Sequence, residues 1–254
     1  MVSPEPKAIP QGSFSEFLAS RRSTRDYLPT PVEPAVIEQL ITDGLTSPSW
    51  SNTRPVMVAV ASGEVRDAIA ADMMARSKYV IGMRIGGLMD KLRFAFKPSA
   101  WPISDHSMLK PYPKELQPRA RRVGKELYGH IGVARGDKKA REEQWAKNYN
   151  FFGAPVEIFV FAHKDLGVFA ANDAGMFAEN LILSAHAHGL GTCAQGAAVL
   201  WASAVRKRFD VPKGYKLLYD IAVGSASDAR VNEFGAHRLS VSEITMREKP
   251  VSNG

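Results

Sequence analysis

Arg21, Arg22, Ser23, Thr24 and Arg25 place three guanidinium groups and two hydroxyls within five consecutive residues, followed by Asp26 and Tyr27. Guanidinium groups give paired, charged hydrogen bonds to the oxygens of a phosphate monoester, and hydroxyls add to the grip. Taken alone, the same run reads equally well as a solvated basic turn. A second stretch, Ser47-Pro48-Ser49-Trp50-Ser51-Asn52-Thr53-Arg54-Pro55, sets hydroxyls and an amide directly before an apolar run. Its prolines restrict the backbone, so these groups can meet the polar edge of a planar molecule. A third, Gly189-Leu190-Gly191-Thr192-Cys193-Ala194-Gln195-Gly196, is small enough for its backbone to approach a flat ligand closely. In isolation it is more often merely a turn.

Other chemistry is weaker in the sequence. His186 and His188 are two residues apart on a predicted helix, which points them to different faces and argues against a shared metal ion. Cys193 is the only cysteine, which rules out an intramolecular disulfide framework and a multi-cysteine metal site and favours a reducing compartment. It reads as a small buried side chain, with no base beside it in sequence to activate it. Glu157, Asp165 and Asp173 form no recognisable acid–base pair. The segment from Tyr79 to Lys97, with Arg84, Lys91 and Arg93 among apolar residues, fits a surface helix that touches a membrane or, more commonly, covers a pocket or a subunit surface. A net charge of +7 suits nucleic acid, an anionic surface or small anions alike. The basic run from Arg119 to Lys125 has no helix-turn-helix, zinc or aromatic RNA-binding motif beside it, so nucleic acid is not expected.

The elements that must position these stretches follow from periodicity. A chain of 254 residues, 45% hydrophobic, can bury a sizeable core. Residues 1–12 are rich in proline and read as a flexible arm, leaving residues 13–254 as one domain with a variable excursion at about 77–114. The N-terminus lacks an export signal, and no run approaches the ~20 apolar residues a membrane span requires, so neither export nor stable membrane insertion is expected. Helices are predicted from Ser13 to Ser20 and from Pro34 to the Pro48 loop, then a buried strand over Pro55–Ala61 and a helix over Glu64–Arg76. Two amphipathic helices over 115–148, broken near Gly132–Gly136, come next. The chain then reads as strand 156–162, helix 172–188, a glycine loop, helix 198–209 and strand 216–224. Helices outnumber strands, which indicates an α+β fold with a mixed β-sheet wrapped by helices.

Together, in this order, the three stretches resemble the nitroreductase family of FMN enzymes. Its members open with a helix and Arg-Arg-Ser-x-Arg, matched by Arg21 to Arg25, and continue with Pro-Ser-x-x-Asn-x-Gln-Pro, matched by Pro48 to Pro55. Asn150 to Pro155, Asp173-Ala174-Gly175, Gly189 to Gly196, Gly224, Asn232 and Arg238 extend the likeness over roughly residues 13–248, weakest between 77 and 114. The resemblance implies an intertwined homodimer with two FMN molecules at the subunit interface, each lined by both subunits. It implies that Arg21 and Ser23 hold the FMN phosphate with Arg238, and that Arg22 touches phosphate or ribityl. Arg25 would approach the pyrimidine edge, where a fixed positive charge stabilises the reduced, anionic flavin. Pro48, Ser49 and Asn52 would lie along the ribityl and ring, and the backbone of Ala194, Gln195 and Gly196 would face the central ring.

Two departures stand out. Arg54 replaces the usual glutamine and Val56 a common tryptophan; with Trp50, Arg54 is assigned to the substrate pocket, although it can equally pair with a carboxylate. The implied activity is ping-pong hydride transfer from NADPH or NADH to a nitroaromatic or quinone-type acceptor, in the cytoplasm, with the chemistry carried by FMN rather than by a catalytic side chain or a metal. Reductive dehalogenation, flavin reduction and flavin storage are the alternatives on the same fold.

Overall fold

A computed structural model describes residues 10–106 and 111–248; residues 1–9 of the predicted arm lie outside the described residues. The helices are α1 (Gln11–Ser20), α2 (Pro34–Leu45), α3 (Gly63–Ile85), α4 (Leu88–Ala95), α5 (Gln117–His130), α6 (Lys138–Ala146), α7 (Gly167–Ala187), α8 (Ala202–Arg206) and α9 (Val241–Ile244). The strands are β1 (Val56–Ser62), β2 (Val156–His163), β3 (Gly191–Gln195) and β4 (Tyr215–Gly224). They form one sheet in the order β1-β2-β4-β3, each neighbouring pair antiparallel. Among the described residues a parallel component enters through an isolated bridge between Ser23 and Thr192, so the sheet is mixed at its β3 edge.

β2 is an inner strand and buried along almost its whole length, which is why its buried positions are apolar on both faces apart from Glu157. Its Val156, Ile158, Val160 and Ala162 join Leu40 of α2 and Phe177 and Leu181 of α7 in one core layer. Phe159 and Phe161 join Met73 of α3, Tyr149 and Trp201 in the other. Helices therefore cover both faces of the sheet. α2 lies close against α7 because Gly44 leaves room for the Phe177 ring; a Cβ there would stand 2.6 Å from Phe177 Cε2.

Several boundaries differ from the sequence expectation. Gly191–Gln195, expected as a loop, is β3: pairing with β4 supplies the backbone hydrogen bonds that its weak intrinsic strand preference does not. α3 runs on past Arg76 to Ile85, and α7 begins at Gly167 rather than at residue 172. The predicted 198–209 helix is a tight 3-10 turn, Ala197–Trp201, followed by the short α8. The excursion at 77–114 resolves into the second half of α3, α4 and a 3-10 turn at Pro98–Ala100, with residues 107–110 outside the described ones. Among the described residues, no helix is long and apolar enough to cross a membrane.

Candidate functional site

After Ser20 the backbone turns extended at Arg21 and runs beside β3. Thr24 N–H donates to Thr192 O at 2.9 Å, and Leu28 N–H donates to Ser225 O at 2.9 Å. On the other side Asn232 clamps the segment: its Oδ1 accepts from Arg25 N–H at 2.7 Å, and its Nδ2 donates to Asp26 O at 2.8 Å and Ser227 O at 3.1 Å. This stitching brings Arg21, Arg22, Ser23, Arg25 and Arg238 around one cleft of about 270 Å³, lined also by Phe234 and Gly235. Among the described residues no carboxylate lines it, so its electrostatics favour an anion, and its donor set matches a phosphate monoester. Arg22 is partly committed elsewhere, since its guanidinium donates to Ala19 O at 2.9 Å at the end of α1. Such a bond satisfies a helix-terminal carbonyl.

The start of β3 adjoins this cleft through the bridge between Ser23 and Thr192. At roughly 3.4 Å per residue, Ala194 lies about 7 Å along the strand from Thr192. Ala194 is exposed, whereas the Gln195 side chain is buried. Burial pushes the Cys193 thiol up to about 11, with Arg25 pulling the other way. It therefore stays a thiol at neutral pH, in keeping with a packing role.

The Pro48–Arg54 loop follows α2 and is wound tightly. Ser51, Asn52 and Arg54 have φ of +48°, +54° and +51°, a left-handed region that costs energy for residues with a Cβ and that concentrates at functional sites. Asn52 N–H donates to Ser49 O at 3.0 Å and Arg54 N–H to Ser49 Oγ at 3.1 Å, which closes the loop on itself. Trp50 N–H donates to the buried Asp173 at 2.9 Å, and the Trp50 ring lies on Phe169 with centroids 4.2 Å apart. The loop is thus fastened to the first half of α7, leaving Pro48 and Asn52 exposed and Ser49 half-buried.

Arg54 pairs with no carboxylate among the described residues. Its guanidinium donates to Leu45 O at 2.6 Å and Ser47 O at 2.7 Å, capping the C-terminal end of α2. Arg54→Ala should lower stability by about 1–2 kcal/mol, because charged hydrogen bonds to helix carbonyls are lost and solvent recovers part of the difference. Urea denaturation measures this. An unchanged midpoint together with a raised KM for an anionic acceptor would instead make Arg54 a substrate contact.

Two of the three sequence stretches therefore converge, and the third does not. The exit of α1 is tied to the far end of α7, where Ser20 Oγ and His186 Nε2 are 2.7 Å apart and Phe17 packs on the His186 ring. From Asp173 to His186 is about 20 Å along the helix, at ~1.5 Å per residue. Pro48, Ser49, Trp50, Asn52 and Arg54 accordingly do not line the cleft of their own chain.

The sequence reading also missed a buried polar group. Glu157 finds a carboxyl partner in Asp220 of β4, and neither is accessible to solvent. The signal was available: each is an acid within an otherwise apolar strand run, VEIFVFAH and YKLLYDIAVG.

The family model described as Nitroreductase family matches residues 18–225. A 4-nitrobenzoate reductase of Pseudomonas putida is 26% identical over 226 residues, covering 89% of this chain and 91% of its own. Nitroreductase NfnB of Mycolicibacterium smegmatis is 28% identical over 233 residues, covering 90% of each. Among solved structures, the FMN and NADPH-dependent nitroreductase NfnB from Sphigopyxis sp. strain HMH superposes with a TM-score of 0.79 at 26% identity, covering 92% of this chain and 98% of its own. The FMN-dependent NfnB from Mycobacterium smegmatis in complex with NADPH also superposes at 0.79 and 26%, covering 94% and 99%.

Proposed function

The chain belongs to the nitroreductase family, and from that membership we propose that it is an FMN-dependent oxidoreductase carrying reducing equivalents from NADPH or NADH to nitroaromatic or quinone-type acceptors. The observation that carries this reading is the cleft of Arg21, Arg22, Ser23, Arg25 and Arg238 beside the start of β3, which no described carboxylate lines. Similarity to reductases of 4-nitrobenzoate and to structures described as FMN- and NADPH-dependent supports it.

Bound FMN would supply the hydride chemistry between a nicotinamide and the acceptor. The protein's part is to bind and to bias. Arg21, Ser23 and Arg238 would hold the phosphate, with Arg22 at its margin. Arg25 would set a fixed positive charge near the pyrimidine edge and stabilise the reduced, anionic state. The backbone from Ala194 to Gly196 would present N–H groups and the close approach that small residues allow. Donor and acceptor would use one pocket in turn, which predicts ping-pong kinetics.

The separation of the Pro48–Arg54 loop from its own cleft supports a homodimer in which a second copy brings Pro48, Ser49 and Asn52 to the flavin and Trp50 to the acceptor. Residues 13–254 would form one FMN-binding unit, working in the cytoplasm in keeping with a lone buried thiol.

The test is an anaerobic absorbance titration of FMN-supplemented protein with NADPH, then NADH, then a nitroaromatic. Bleaching and its reversal by the acceptor are the expected result, and they identify the preferred donor. Bound flavin that stays oxidised would replace the reductase reading with flavin storage, and absence of bound flavin would overturn the site.

A further inference from the structure

Gln195 closes β3 and stands directly opposite Asp220 of β4 in the strand register. Asp220 is in turn opposite Phe159 of β2, two residues from Glu157, so the three polar side chains share one face of the sheet. Gln195 Nε2 lies 3.4 Å from Glu157 Oε1. Glu157 and Asp220 have no solvent exposure and meet carboxyl to carboxyl. Neither forms an ion pair with a described Lys or Arg. The Ala198 and Gln195 N–H groups approach Asp220, yet neither of its oxygens is met in hydrogen-bonding geometry. Glu157 Oε2 and Gln195 Oε1 also lack partners among the described residues. Two carboxylates at this range in an apolar layer cannot both ionise, so the donor that completes the cluster is a proton on one of them.

We propose that a single proton shared by Glu157 and Asp220 holds Gln195 in place, and with it the Ala194–Gly196 end of β3, making the pair a positioning device for the flavin site. This rests on the flavin reading of that strand end. The titratable groups around the pair are Tyr27, Cys193 and Tyr149, all buried; Arg25 acts on Tyr27 and Cys193, Arg21 on Cys193, and Arg84 and Glu142 on Tyr149. Loss of the proton therefore leaves two buried negative charges with no cation in contact. The carboxylates then repel each other; the Gln195 amide, which favours the ionised form of each, cannot hold both, and it shifts with them as they separate.

The sign follows from the protonation balance. Burial keeps both carboxyls protonated above the ordinary carboxylate range, and the Asp220 charge raises Glu157 further while the Glu157 contact lowers Asp220; the unfolded chain releases these protons near pH 4. The ordered state is complete at low pH and is lost as pH rises through the raised value.

Infrared spectroscopy of the wild-type protein reads the pair directly, as a protonated-carboxyl band that disappears with rising pH. If the protonated pair favours FMN, reciprocal linkage requires that saturating FMN move the band's midpoint upward, by about one pH unit for a tenfold preference. A midpoint that FMN does not move, or no such band at all, overturns the proposal. Glu157→Gln with Asp220→Asn keeps the shape and removes the titration. That variant should lose the band and flatten the pH dependence of FMN Kd relative to wild type, whereas a purely structural role would shift Kd by a constant factor. A wild-type protein that shows the band but binds no FMN at any pH would overturn the flavin reading, and the positioning role with it.

Discussion

Arg21→Glu should weaken FMN binding at least about a hundredfold, while Arg22→Glu should cost no more than about tenfold. Unit charges 4 Å apart interact by about 4 kcal/mol at an effective dielectric of about 20, and reversal turns an attraction into a repulsion. Partial exposure and salt remove much of that, leaving about 3 kcal/mol, or roughly a hundredfold in Kd. Arg21 is half-buried at the cleft, whereas Arg22 is exposed and already engaged with the Ala19 carbonyl. Arg25→Glu should behave like Arg21→Glu, because Asn232 fixes its backbone at the same cleft. Quenching of FMN fluorescence at low and high salt measures all three. The gap between Arg21→Glu and wild type should narrow as salt rises, and FMN affinity unchanged in both Arg21→Glu and Arg25→Glu would remove the cleft as the phosphate site.

The next largest effect is expected at a residue that does not itself line the cleft. Gly191→Ala should destabilise the fold by about 3 kcal/mol, at the upper end for an overpacked core position, and lower FMN occupancy in step. A Cβ on Gly191 would stand 2.3 Å from Thr24 Oγ1 and 2.8 Å from Thr24 Cβ. Thr24 cannot easily yield: it is buried and β-branched, and its N–H is bonded to Thr192 O. Relief requires the Arg21–Arg25 segment to lift from β3, which separates the phosphate cleft from the Ala194–Gly196 backbone. Gly124→Ala is the matched control, since a Cβ in that position of α5 meets nothing within 4 Å. It should stabilise the protein by about 0.5–1 kcal/mol by reducing the freedom of the unfolded chain. Urea denaturation of both variants checks the contrast, and equal effects would show that Gly191 is not needed for the close approach.

Much of this was legible along the chain, because it rests on local pattern. Pro34 ahead of a helical apolar period placed α2, and the largely apolar stretch at 156–162 marked β2 as a strand. The order of Arg21–Arg25, Pro48–Pro55 and Gly189–Gly196 was enough to indicate the family, since residue types and their succession are one-dimensional properties. Extent was less legible. α3 and α7 continue past their weak local signals, and Gly191–Gln195 becomes a strand only because β4 offers it a register.

Convergence was decided in three dimensions. Periodicity says which face of α7 is buried, but only packing ties Ser20 to His186 at one end of that helix and Trp50 to Asp173 at the other, holding two motifs of one flavin signature about 20 Å apart. Arg54, whose role the sequence left open, is assigned by distance alone, because its guanidinium reaches the carbonyls that end α2. The carboxyl pair is the same case: Glu157 and Asp220 are 63 positions apart, and a buried acid looks like an anomaly in either strand until register places the two on one face. Composition and spacing determine which groups a chain carries, whereas hydrogen-bond register and side-chain packing determine which of them meet, since contact depends on strand partners that no local window contains.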